Sequence, residues 1–420
     1  MRRLFLASIL VAVSCGGSDE TPNAKIDAGP RADAAPGQCS GATASVSTPG
    51  DTPPAPPALT VPSGFRLETL AAIGSARELV ALPNGDLLVG TNGKSVYIVT
   101  DAEGTGPAGA PTVFTTIDDA PVNGVAFDAS GCTIYVGSEH GIHAIPYADG
   151  QLSGQGASIA SVRTGGIPPG TDGDVHVTTS VAVGGGSLYA GVGSSCNACT
   201  ETDGTRASIQ KLDLDGAQMT TRATRMRNAI ALAVNPATGT LWAGGAGQDN
   251  LPAGHPFEYF DAVGLHGGVA DYGWPFCEED HVQYMPGADC AQTVAPIVEL
   301  PAYSTLIGAA FYPSGQGGSH AFASDFRGGV FIAAHGSWHM MGGRYSAPPT
   351  VVFVPLDGDA PRTAVDWSDP SAQWSEFVGG WQTADGQSRI ARATGIAVGP
   401  QGSLFVGDDQ NGRVYRIRPE

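Results

Sequence analysis

Chemistry in this chain can come from one histidine in a short polar run and from three sets of cysteines. His176 stands in Asp174-Val175-His176-Val177-Thr178. A neutral imidazole is suited to taking a proton near pH 7, and on a strand Asp174 would share its face. The plain alternative is an exposed turn histidine. Cys196 and Cys199 flank Asn197-Ala198. They pair with each other, pair with other residues of the same loop, or act as a redox dithiol. No βαβ pattern surrounds them, as a redox dithiol of this spacing would need, and no further Cys or His stands nearby at zinc-ligand spacing. Cys277 and Cys290 bracket one loop and are expected to form a disulfide. Cys39 and Cys132 are the remainder; a clamp between the N-terminal segment and the domain is one use for them, and their pairing stays open. With Cys15 set aside, six of the 7 cysteines are left, an even number that suits an oxidising compartment.

Cys15 belongs to a different pattern. Arg2-Arg3 precedes an apolar run from Leu4 to Val13, too short for a permanent membrane span. The run ends in Ala12-Val13-Ser14-Cys15, which resembles a bacterial lipobox; residues 1–14 read as a signal peptide and Cys15 as the acylated first residue. An ordinary cleaved signal is the alternative. Residues 15–61 form an expected disordered linker, with no aromatic residue and an abundance of Ala, Pro, Gly, Asp, Ser and Thr, too little apolar surface to offset ordering entropy. The expected location is extracytoplasmic and lipid-anchored, at the outer membrane, with contact to the membrane only through that anchor. Cleavage takes two of the 21 basic residues, leaving 19 against 40 acidic ones and a charge of −21. A phosphate backbone repels such a chain, so nucleic acid is excluded as a partner.

The elements that must position the chemistry repeat. Glu78-Leu79-Val80-Ala81-Leu82-Pro83-Asn84-Gly85-Asp86-Leu87-Leu88-Val89-Gly90 is a small-apolar run, a turn and an alternating run ending in Gly. Related phrases begin at Gly124, Ser180, Ala231, Gly308 (in stretched form) and Gly395. Each reads as two antiparallel strands joined by a tight turn. Copies spaced roughly 45 to 90 residues apart suit four-stranded propeller blades with insertions. The fold expected is all-β, a six-bladed β-propeller over residues 62–420. Phe65-Arg66-Leu67-Glu68-Thr69-Leu70 precedes the first copy and is free to close the ring by joining the last blade, which removes an exposed edge.

Arg227-Asn228 ahead of Ala233-Val234-Asn235-Pro236, Asp271-Tyr272-Gly273-Trp274-Pro275, His335-Gly336-Ser337-Trp338 and the ending around Asp408-Asp409 together resemble the quinoprotein glucose and sorbosone dehydrogenases, most of all the sorbosone and pyranose dehydrogenase branch. The resemblance spans Pro62 to Arg418. It implies a propeller that binds pyrroloquinoline quinone (PQQ) and calcium near its axis and oxidises an aldose or related sugar, passing electrons to an external acceptor. His176 then matches the catalytic base, and Arg227 the arginine that contacts the quinone and assists catalysis. Asn228, Arg392 and His335 match further cofactor-binding positions. Gly247 and Gln248 lie where backbone carbonyls hold calcium in the relatives, and Asp249 and Glu258 add oxygen ligands there. The chain departs from the relatives at Val177-Thr178-Thr179, His339-Met340 and Ala391-Arg392-Ala393, where two of their cations are absent; Arg344 and Arg389 are candidates to supply the charge. No Cys-x-x-Cys-His haem motif is present, so electrons would leave to a separate carrier.

Two other readings stand beside this one. A non-catalytic, surface-anchored propeller would bind carbohydrate or a protein partner. A calcium-dependent lactone hydrolase would want a Glu/Asn/Asp metal set on the axis, where this sequence places His and Arg.

Overall fold

A computed structural model describes Cys39 and residues 53–171, 173–252 and 254–420. The expected signal segment, Cys15 and most of the linker lie outside the described residues. Six sheets of at least four strands carry the fold. The repeated phrases supply the two innermost strands of every blade: Ala76–Ala81 with Leu87–Thr91, Gly124–Asp128 with Thr133–Gly137, Thr179–Gly184 with Ser187–Val192, Ala229–Val234 with Leu241–Gly245, Leu306–Phe311 with Val330–Ala334, and Ala393–Val398 with Leu404–Asp408. Where the turn is tightest, Gly185 and Gly186 both take positive φ (58° and 73°), the backbone of a two-residue hairpin that L side chains resist.

Phe65–Ala72 pairs antiparallel with Arg413–Pro419, from Phe65↔Pro419 to Ala72↔Arg413. The first strand thus completes the sixth blade, and its otherwise open edge is covered. Phe65 anchors the closure, with its ring 4.7 Å from Phe322 and 5.2 Å from Phe377 of the fifth blade.

The ring holds because each pair of neighbouring blades encloses its own apolar core. Around the axis the backbones themselves touch. A Cβ on Gly124 would lie 2.4 Å from Thr179 O, and one on Gly395 2.1 Å from Arg77 O. Only glycine allows the inner strands to approach this closely.

Three disulfides are present: Cys39–Cys132, Cys196–Cys199 and Cys277–Cys290. The open choice at Cys196 resolves to pairing with Cys199. Among the described residues no helix is long and apolar enough to cross a membrane.

Candidate functional site at the propeller axis

The residues at or just ahead of the inner strands, with the loops after the second strands of the first, fourth and fifth blades, surround a cavity of about 240 Å³ at one end of the axis. Arg77, Asn123, Thr178, Asn228 and Thr305 come to it from five different blades or the connections into them, and His176, Arg227, Asp249, Glu258 and Trp338 complete its wall.

His176 sits in a loop, not on a strand, so the expected sharing of a face with Asp174 does not arise. Asp174 instead pairs with buried Arg206 at 2.8 Å. His176 Nδ1 lies 2.8 Å from Ser194 Oγ and 3.2 Å from Ser194 O. The hydroxyl of Ser194 donates its own proton to Cys196 O at 2.7 Å, so toward the imidazole it can only accept. The network therefore assigns the proton to Nδ1 and leaves Nε2 with its lone pair. Nε2 makes no hydrogen bond among the described residues. Burial, and next the Arg227 charge, push the imidazole down to about 3, so it is neutral at physiological pH. Arg163, buried and in positive-φ backbone, holds the loop from behind by donating to the carbonyls of His176 (3.1 Å), Thr178 and Glu139.

Arg227 is 6% exposed, and all five of its N–H donors are engaged. Nε donates to Asn197 O at 3.0 Å, Nη1 to Gly247 O at 2.6 Å and to Ala246 O at 3.4 Å, and Nη2 to Asn197 Oδ1 at 2.9 Å and Asp249 Oδ2 at 3.3 Å. Asp249 is thus an ion-pair partner of Arg227, and Gly247 O is one of its acceptors. Gly193 brings histidine and asparagine together: a Cβ there would fall 2.5 Å from His176 Cβ and 2.6 Å from Asn228 Oδ1.

Two expected cofactor positions lie elsewhere. His335 and Arg392 do not line the cavity. His335 follows the strand Val330–Ala334 as expected, but its Nε2 is turned to Asp409, 3.0 Å away, which also pairs with Arg77 at 3.0 Å. Arg392 donates to the carbonyls of His335 (3.1 Å) and Gly336 (2.9 Å), and so braces that loop. Arg389 stacks on Tyr345 at 3.8 Å and donates to Ser337 O. Trp338, by contrast, is 66% exposed at the cavity rim, with Nε1 3.2 Å from Asp249 Oδ1.

Behind Arg227 lies a smaller void of about 10 Å³, walled in part by Asn228, Gly247, Glu258 and Glu278. Burial raises both glutamates to about 8. Glu258 accepts from Gly247 N at 2.9 Å. Asn228 Oδ1, Gln248 Oε1 and Glu278 Oε1 are buried without a partner. Unpaired buried oxygens beside two carboxyls, which a bound cation would hold in their ionised form, could supply the oxygen ligands of a hard cation. Glu278 escaped the sequence reading, although it directly follows Tyr-Gly-Trp-Pro-Phe-Cys. Arg77 escaped it too; its Nε and Asn123 Oδ1 are further partnerless polar atoms on residues of the main cavity.

No protein-family model and no curated protein matches the chain. Solved structures do. The PQQ domain of pyranose dehydrogenase from Coprinopsis cinerea, in its holo form, superposes with a TM-score of 0.69 at 19% identity over 87% of this chain and 98% of that one. The PQQ-bound aldose sugar dehydrogenase of Streptomyces coelicolor gives 0.55 at 19% identity, over 86% and 100%. The fold is that of the PQQ-dependent sugar dehydrogenases. A calcium structure of a Trichoderma reesei carbohydrate-active enzyme of family AA12 shares it, with a TM-score of 0.70 at 17% identity over 88% of this chain and 99% of that one.

Proposed function

We propose that the chain is a PQQ- and calcium-dependent dehydrogenase that oxidises an aldose or related sugar and passes the electrons to an external acceptor. One observation carries this reading: a half-buried, neutral His176 whose tautomer is set by Ser194, leaving Nε2 as a base on the wall of an axial cavity that also holds Arg77 and Arg227.

The donors and acceptors present suit both groups. A quinone bearing carboxylates needs cationic partners, and Arg77 and Arg227 supply them, the first with an unpaired Nε. Glu258, Glu278 and the side-chain oxygens of Asn228 and Gln248 would hold the cation. When bound, PQQ supplies the two-electron acceptor and calcium the polarising charge. The chain's own part is to take the sugar's hydroxyl proton at His176 Nε2, to keep that imidazole oriented through Ser194 and Arg163, and to place positive charge where negative charge develops. Trp338 and Tyr303 offer the sugar an aromatic wall.

The test is reconstitution. Purified apoprotein with PQQ and calcium should gain dye-linked oxidation of at least one member of an aldose panel, together with the absorbance of bound quinone. Absence of both, in a protein that melts cooperatively, removes this reading. A non-catalytic binding propeller is the second reading, favoured by the full engagement of Arg227 with protein acceptors; it predicts sugar binding without turnover.

A further inference from the structure

Loop 194–199 touches both candidate catalytic side chains. Through Ser194 it holds His176 Nδ1, and Ser194 is itself tied to Cys196 O. Through Asn197 it holds Arg227 twice, at the main-chain carbonyl and at Oδ1. The same asparagine reaches a third segment: Oδ1 accepts Asp249 N–H at 2.8 Å, and Nδ2 donates to Asp249 O at 3.0 Å. Its carbonyl also accepts Trp274 Nε1–H at 3.1 Å. Asp249 in turn bonds Arg227 and Trp338. One residue thus joins the third blade's loop, the guanidinium, the fourth blade's loop and the Tyr-Gly-Trp-Pro segment.

Four consecutive loop residues would not hold such a set of acceptors in place unaided, because each ordered residue costs backbone entropy. The Cys196–Cys199 disulfide closes the turn around Asn197-Ala198. Glu201 secures its base, accepting from Ser195 N at 2.6 Å and Ser195 Oγ at 2.9 Å. Cys196 is buried against Trp274 and Ala207, whereas Ala198 is exposed, so the turn is anchored at one end and open to solvent at its tip.

We infer that Asn197 is the positioning residue for Arg227 and that the Cys196–Cys199 disulfide preorganises it, so that the integrity of this bond governs how tightly the axial site holds an anionic quinone. The cofactor part rests on the function proposed above; the clamp on Arg227 does not. Reduction by an added dithiol would break the S–S bond and leave two thiols, with two electrons and two protons coming from the dithiol, which closes to its own disulfide.

The experiment titrates PQQ, with calcium, into apoprotein and reads the quenching of tryptophan fluorescence. Losing the Oδ1 acceptor of a buried charged donor, with the side-chain ties to Asp249, should weaken PQQ binding by Asn197→Ala about ten- to hundredfold. The Cys196→Ser/Cys199→Ser pair should weaken it in the same direction and by less, and dithiol should bring wild type to the level of that pair while leaving the pair itself unchanged. Cys39→Ser/Cys132→Ser, which removes a disulfide at the turn between Gly124–Asp128 and Thr133–Gly137 that includes no residue of the cavity, should lower the melting temperature without changing affinity. Unchanged affinity in folded Asn197→Ala, or an equal loss in the Cys39/Cys132 control, overturns the inference. A second readout needs no cofactor. In the wild-type apoprotein Arg227 Nε–H, buried against Asn197 O, should exchange slowly with solvent by NMR, and it should exchange faster in both loop variants. Should wild type fail to bind PQQ, the proposed function fails, and this exchange rate alone decides the clamp: retained protection in Asn197→Ala refutes it.

Discussion

Ser194 Oγ lies 2.8 Å from His176 Nδ1 and has already given its own proton to Cys196 O, so it fixes which nitrogen of the imidazole stays unprotonated toward the axial cavity. A base needs its lone pair on the substrate side. Here the orientation comes from a hydroxyl, not from the carboxylate of Asp174.

His176→Ala should lower turnover by about 10²–10⁴-fold while keeping PQQ binding, because a general base is lost and no cofactor contact need change. In the apoprotein, His176 should show no titration between pH 5 and pH 8, since burial and Arg227 hold it down to about 3. A ¹⁵N titration of the imidazole checks this; a midpoint near 6.5 would contradict the neutral assignment.

Gly193→Ala places a methyl group 2.5 Å from His176 Cβ. Something must shift, and overpacking of this kind costs about 1–3 kcal/mol. The expected result is a modest fall in melting temperature with a larger, disproportionate fall in turnover. Equal activity per folded molecule would show that the imidazole tolerates displacement.

Glu78 borders the narrow axial channel lined by Val125, Val181, Ile230 and Ile307, with Arg77 beside it and Ser180 donating to it. The residue is partly accessible to the channel, yet desolvation of its carboxyl raises it to about 8 from 4.5. A folded-state pKa above the unfolded one means that the native protein holds the extra proton between those values. Unfolding releases it, so stability falls as pH rises from about 4.5 through 8. In chelator, wild type should lose a few kcal/mol across that window, and Glu78→Gln should lose less. Glu258 and Glu278 add to the wild-type slope, so calcium should flatten it if they hold the ion. Melting curves from pH 5 to pH 9, with and without calcium, separate the two contributions.

The disulfides should differ in what they contribute. Cys39–Cys132 joins residues 93 apart and Cys277–Cys290 residues 13 apart. Loop entropy predicts losses of roughly 4–5 and about 3 kcal/mol when each is replaced by serines. Calorimetry that ranks them in the opposite order would place the stabilisation in local packing.

Cys15→Ser should abolish lipid attachment and release the protein from membranes. Normal processing and membrane partitioning of the variant would rule out acylation at Cys15.

The sequence by itself determined the ring. Turn glycines and period-two alternation are local signals, and six copies of one hairpin phrase have few other ways to bury their faces. The closing strand at Phe65 and the Cys277–Cys290 pair were legible for the same reason, since each needs only a partner of matching pattern, whereas the partners of Cys39, Cys132, Cys196 and Cys199 were left to the structure. The site was legible in part: His176, Arg227, Asn228, Gly247, Asp249 and Glu258 do reach one cavity. What the tertiary structure alone decided is how they are held. Arg77 and Asp409 pair across 332 residues because the ring sets the first blade beside the last. Glu278 joins Glu258 because the long insertion between the third and fourth strands of the fourth blade folds back on the third, and Asn197 joins Arg227 because the third blade's loop meets the connection into the fourth. His335 and Arg392 stand on the expected loops, yet their side chains turn to Asp409 and to main-chain carbonyls. A motif places a residue on a loop; the side chain's direction depends on partners hundreds of residues away, and no local pattern in the chain encodes that choice.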